Sequence, residues 1–207
     1  SYPTITVPSP PSNFDAIALS SNSILWMWSD NSSGENGFRI YSSTGLFIQL
    51  PANLTYWIQT DLTPNTSYTF FVKSFNSVGE SSASNTKTKF SLAAKPSNVR
   101  FGKILHNSIE IFWDDNFNPP TTRYGVAKST DGINFSTIVA VTDNLTLKTY
   151  TATELLHSTT YWFKIWAFNG EDIDSEYTIS DSTLTKSASQ SIVISQFNTQ
   201  GPGGSSD

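Results

Sequence analysis

Leu62-Thr63-Pro64-Asn65-Thr66-Ser67-Tyr68 returns ninety-three residues later as Leu155-Leu156-His157-Ser158-Thr159-Thr160-Tyr161. Each copy runs into a segment with apolar residues at alternate positions: Tyr68, Phe70 and Val72 in the first, Tyr161, Phe163 and Ile165 in the second. Alternation with period two among aromatic and β-branched residues marks a half-buried strand. A repeat of this length indicates two copies of one small β-domain.

The two copies align upstream as well. Ser23-Ile24-Leu25-Trp26-Met27-Trp28-Ser29 matches Ser108-Ile109-Glu110-Ile111-Phe112-Trp113-Asp114, which puts Ile24, Trp26 and Trp28 on the same inward parity as Ile109, Ile111 and Trp113. Trp57 and Tyr150 each stand five residues before the corner leucine. The first copy offers strands over Phe14–Leu19, Ile24–Trp28, Phe38–Tyr41, Thr55–Thr60, Tyr68–Phe75 and Asn85–Phe90, with a hairpin turning near Gly45. Each run is short, rich in β-branched or aromatic residues and bounded by Gly, Asn, Ser or Pro. Trp28 and Tyr68 are forty residues apart but Trp113 and Tyr161 forty-eight, and the eight extra residues are expected around Asp131-Gly132, a strong hairpin signal.

These boundaries predict an all-β chain of two immunoglobulin-like sandwiches in tandem. Residues 1–11 form an extended Pro-rich leader, 12–91 the first domain, 92–187 the second and 188–207 a tail. Ser91 to Pro96 is a linker short enough to bend but not to let the domains tumble.

Composition narrows the function. Six Trp, fourteen Phe and eight Tyr supply core area, and the absence of Cys excludes disulfides, thiolate metal sites and a Cys nucleophile. Charged residues make up only 14% of the chain at net charge −5, which argues against a nucleic-acid partner, since that needs concentrated Lys and Arg. No apolar run approaches the roughly 20 residues of a membrane span. No signal peptide is visible, so the chain is expected to be mature or cut from something longer.

Both repeats resemble bacterial-style fibronectin type III domains. In the first, Trp28, the Leu62-x-Pro64-x-Thr66-x-Tyr68 corner and Asn76-Ser77-Val78-Gly79-Glu80-Ser81 carry the resemblance. In the second, Trp113, Leu155, Thr159, Tyr161 and Ala167-Phe168-Asn169-Gly170 carry it, with His157 in place of the usual proline. The resemblance implies a corner tyrosine buried against the core whose hydroxyl bonds back near the preceding turn. The run from Ser191 through Phe197 to Asp207 resembles the opening strand and loop of a lamin-tail domain, which implies further domains beyond Asp207.

Candidate sites are few. His106 and His157 read as turn residues, and no G-x-S-x-G, H-E-x-x-H, P-loop or G-x-G-x-x-G motif occurs, so no enzyme is expected and no catalytic residue is assigned. Asp114 and Asp115, with Glu171, Asp172 and Asp174, fall in two loops that emerge at one pole of the second sandwich, facing the first. They read either as a solvated acidic rim or as oxygen ligands for calcium, which takes six to eight; no other cofactor is implied. If Tyr161, Phe163 and Ile165 point inward, Trp162, Trp166 and Phe168 point outward, and the same parity exposes Phe71 and Phe75. Gly125 and Ala127 on the neighbouring strand leave the indoles room to lie flat. Such a strip suits sugar stacking or a protein contact, unless Lys164, Lys73 and nearby loops cover it. Five N-x-S/T sequons begin at Asn31, Asn53, Asn65, Asn134 and Asn144, and matter only in a host that glycosylates.

The leading expectation is a non-enzymatic spacer or adhesion module of a larger secreted or cell-surface protein, whose partners are the neighbouring domains of its own polypeptide. Two alternatives stay open. One is a module that binds carbohydrate or another surface protein through Trp162, Trp166 and Phe168; the other is self-assembly through the Ser191–Phe197 strand.

Overall fold

The structure, a computed structural model, describes residues 5–188. The lamin-tail resemblance therefore lies, from residue 189 onward, outside the described residues. In the first sandwich, β1 (Ser12–Ser20), β2 (Ser23–Ser29) and β5 (Tyr56–Gln59) form one antiparallel sheet in the order β1-β2-β5. Opposite it lie β3 (Gly37–Ser42), β4 (Gly45–Pro51), β6 (Ser67–Phe75) and β7 (Lys87–Phe90), in the order β4-β3-β6-β7.

The second sandwich repeats the plan. One sheet is β12-β9-β8, from β8 (Ser97–Ile104), β9 (Ile109–Asp114) and β12 (Thr149–Ala152). The other is β11-β10-β13-β14, from β10 (Arg123–Ser129), β11 (Ser136–Val139), β13 (Thr160–Phe168) and β14 (Thr178–Ile179), with β15 (Thr183–Leu184) also pairing β13. Among the described residues no helix is long and apolar enough to cross a membrane.

Alternation drives the inner faces together. Ile24, Trp26, Phe38, Ile40 and Val72 are fully enclosed in the first core, and Ile109, Ile111, Phe163 and Ile165 in the second. Phe14 stacks on Trp26, whose far edge meets Phe70, so the first core is an aromatic cluster between the sheets. Burying each such ring contributes roughly 2 kcal/mol or more, which lets sandwiches of this size stand without disulfides. The Trp26 indole N–H donates to Gln59 Oε1 at 3.0 Å, which explains a buried amide on β5.

The corners are built as the resemblance implies, with one difference. The Tyr161 hydroxyl accepts the Leu156 N–H at 2.9 Å, and the Tyr68 hydroxyl accepts the Thr63 N–H at 3.1 Å. Tyr161 is buried, but Tyr68 is only half-buried. His157 fills the proline's place without cost to the turn: its carbonyl accepts the Thr159 hydroxyl at 3.0 Å, as the Pro64 carbonyl accepts that of Thr66. Asn65 and Ser158, at equivalent positions, both take a left-handed backbone.

The extra length of the second copy is split rather than gathered at one turn. Residues 130–135 join β10 to β11 where Ser43 and Thr44 alone join β3 to β4. The rest lies in residues 140–148, which hold the 3-10 turn Val141–Asp143. Asp131 organises the hairpin by accepting the Ile133 and Asn134 N–H groups, the Asn134 amide and the Ser129 hydroxyl. These bonds, those from Asn134 foremost, hold its carboxyl well below the usual carboxylate range.

Candidate functional site

The junction between the sandwiches is stitched from both sides. The Asn65 N–H donates to the Leu92 carbonyl and the Leu92 N–H to the Ser20 carbonyl, each at 3.1 Å, while the Ser91 hydroxyl donates to the Thr63 carbonyl at 2.8 Å. These bonds fasten the linker's first half to the first corner. Its second half is held by Asn118 in the β9–β10 loop, whose amide accepts the Ala94 N–H at 2.7 Å and donates to the Ala94 carbonyl at 2.8 Å. Asn118, Ser91, Ala93 and Ala94 are all buried. A side chain that pairs with both backbone groups of one residue substitutes for a strand neighbour.

Direct contacts cross the gap. Asn65 Nδ2 donates to Thr122 Oγ1 at 2.8 Å, Asn169 Nδ2 to the Ser91 carbonyl at 3.3 Å, and Lys89 pairs with Glu171 at 2.6 Å. Gly170 gives the Phe90 ring its seat, because a Cβ on it would lie 2.3 Å from the ring and force it to move. The pole carrying the β9–β10 and β13–β14 loops thus faces the first sandwich, as the strand order predicts.

The carboxylates at that pole do not converge. Asp114 accepts from Asn98 at 2.9 Å and Arg100 at 2.8 Å, and these two bonds lower its pKa, Asn98 first. Asp115 pairs with Lys148, Glu171 with Lys89 and Asp172 with Arg123, while Asp174 bridges back to the Phe168 backbone. Among the described residues no three His, Asp or Glu side chains gather closely enough to hold a metal ion. The sequence expectation grouped these residues by loop, whereas Asp114, Asp115, Glu171 and Asp172 each pair with a different cation, Arg100, Lys148, Lys89 and Arg123 in turn.

The outer aromatic faces exist but are more covered than strand parity implies. In the second domain β10 and β13 pair Gly125 with Trp166, Ala127 with Lys164 and Ser129 with Trp162. Trp166 lies flat over Gly125, where a Cβ would stand 2.2 Å from the indole. Trp162 and Trp166 are half-buried. Phe168 departs from expectation: it is buried outside the core, beneath the edge of Trp166 and beside the turn that returns through Asp174. Two residues that parity could not find complete this face, Phe135 from the long hairpin and Tyr177, over whose ring Lys164 sits at 3.7 Å. Together with Trp166, Asp174 and Ser175 they line a cavity of about 250 Å³.

In the first domain Tyr41 stacks on Phe71 at 5.3 Å, Lys73 lies over Tyr41 and Arg39 over Phe75. Phe71 and Phe75 are accordingly half-buried rather than displayed. Glu80 pins the cover by accepting from the Tyr41 hydroxyl, from Arg39 at 2.8 Å and from Lys73 at 3.3 Å, and its pKa falls to about 2, through Tyr41 first and Arg39 second.

Two sandwiches with this strand order, tyrosine corner and buttressed linker define a tandem immunoglobulin-like, fibronectin type III architecture. Residues 9–90 match the family model described as the fibronectin type III domain. A two fibronectin type-III domain segment from chicken tenascin superposes with a TM-score of 0.57 at 18% identity, covering 86% of this chain and all of that one. The FN1-FN3 domains of chicken CNTN1 align at 18% identity over 88% of this chain and 68% of that one, with a TM-score of 0.39. No curated protein sequence matches the chain.

Proposed function

We propose that this chain is a non-enzymatic spacer or adhesion segment of a larger extracellular or cell-surface protein. The observation that carries the reading is the junction: a buried linker bonded to both sandwiches, with Asn65, Lys89 and Phe90 engaging Thr122, Glu171 and Gly170 across it. A flexible tether has no use for such contacts, whereas a segment that holds its neighbours at a set distance and angle does. Residual dipolar couplings test it. One alignment frame shared by both sandwiches is the expected result, and two independent frames would sink the spacer reading. Protease treatment of intact producing cells tests the location, since an extracellular segment is cut and a protected one is not.

A second reading is favoured by the cavity over Gly125. Half-buried Trp166, with Tyr177, Asp174 and Ser175 beside it, combines aromatic faces with hydrogen-bonding groups in the manner of a saccharide subsite. Quenching of Trp fluorescence by an oligosaccharide, lost in Tyr177→Ala, supports it; no response across a broad glycan panel removes it.

A further inference from the structure

The outer face of the β1-β2-β5 sheet is apolar where its counterpart in the second domain is polar. Register places Ile17 beside Leu25 beside Ile58, and Met27 beside Tyr56, all outward. Ile17, Leu19, Tyr56 and Ile58 are each about half exposed, and an open hollow of about 660 Å³ runs over Leu25, Met27 and Tyr56. In the second domain Glu110 and Thr151 take the places of Leu25 and Ile58, while Arg100 lies over Phe112 and pairs with Asp114. The same fold therefore tolerates a charged face here, and the first domain's apolar face is not a demand of the architecture.

The edge next to this face is open. On the opposite side Asn85 bonds both backbone groups of Phe14, and Lys87 pairs with Asp15, which stitches β7 to β1. On this side β5 ends one sheet and β4 the other, with half-exposed Leu46 and Phe47 on β4 and Phe47 packed on Trp57. No charged residue lies between Arg39 and Asp61, so this edge lacks the Lys or Asp that guards exposed strands elsewhere.

We infer that this edge and face receive residues 191–197 of a second copy of the chain as an added strand on β5. Ser191-Ile192-Val193-Ile194-Ser195-Gln196-Phe197 is uncharged and apolar, and no charge occurs between Lys186 and Asp207. Paired along β5, alternation sets Ile192 and Ile194 on the face of Tyr56 and Ile58, and Val193 and Phe197 toward Trp57 and Phe47. The donor must be another molecule. The chain leaves the second sandwich beside Leu105, where the Lys186 N–H donates to the Leu105 carbonyl, at the pole opposite Asn118 and Gly170. A segment of three residues reaches at most about 10 Å, while the second sandwich alone is about 30 Å long. A contact between the end of one copy and the start of the next is heterologous, so it extends into a row of copies.

Sedimentation velocity over a wide concentration range decides it. The intact chain is expected to associate progressively, while a chain ending at Ala188 and the intact chain carrying Ile58→Lys stay monomeric with unaltered melting. Thr151→Lys, on the polar face of the second domain, associates like the parent. A monomeric intact chain overturns the inference. So does equal association after tail removal, which assigns the face to direct pairing between sheets, and so does undiminished association by Ile58→Lys.

Discussion

The tyrosine corners turn one residue type into two different measurements. Both hydroxyls accept a backbone N–H from five residues earlier, but the Leu156 bond is partly buried and the Thr63 bond is exposed. Water replaces the second more readily than the first. Tyr161→Phe is therefore expected to cost about 1 kcal/mol and Tyr68→Phe a few tenths, read from denaturant melts of each variant. Equal losses would mean that hydroxyl burial does not govern the corner. Glu80 offers a pH handle. Its pKa is about 2 when folded, against an ordinary carboxylate value of 4.5, so its stabilising effect is full above about 4.5 and is lost as pH falls through about 2. Its side chain is a quarter exposed, and solvent screening limits the effect to on the order of 1–2 kcal/mol. Glu80→Gln should abolish that share of acid sensitivity, so its stability curve between pH 5 and 2 (roughly the window of this titration) should be flatter than the parent's. An unchanged slope would show that Tyr41 and Arg39 do not depend on that charge.

Strand by strand, parity in the sequence told which residues face the core, because a period of two is a local property of extended backbone. Ile109, Ile111 and Trp113 could be placed from that alone, and they are buried as placed. Parity carries no information about what a returning loop lays over the outer face. Phe168 was legible as outward but not as covered, and Phe135 and Tyr177 were invisible as members of the same face because loops deliver them. The carboxylates fail for a related reason: Arg123 and Lys89, which separate Asp172 from Glu171, come from strands distant in sequence. What the sequence did show correctly on that face was Gly125 as the seat of an indole. Gly125→Ala puts a methyl 2.2 Å from the Trp166 ring, with strand backbone beneath that cannot yield. The indole must lift, at a cost of about 1–3 kcal/mol, and acrylamide should quench it more strongly than in the parent. Unchanged quenching would mean that Trp166 does not rest on β10.

For the molecule as a whole, the question is which contact makes two sandwiches into one body. The Lys89–Glu171 pair is partly exposed on both sides and contributes a few tenths of a kcal/mol at most, so Lys89→Ala should leave the relative orientation as it is. Asn118 is different. It is buried, it makes two bonds to Ala94, and its removal leaves the Ala94 N–H and carbonyl enclosed without partners. Each stranded group costs about 1–3 kcal/mol, which the linker can escape by pulling away from the β9–β10 loop into water. Asn118→Ala is therefore expected to free the hinge while both cores stay folded. Small-angle scattering would show a broader distance distribution for the variant than for the parent or Lys89→Ala. The near-ultraviolet signal of Trp26 should persist, since its core holds no linker residue, whereas Trp113 shares its cluster with Ala93 of the linker. A scattering curve unchanged by Asn118→Ala would shift the burden of rigidity to Phe90 against Gly170 and Asn65 against Thr122.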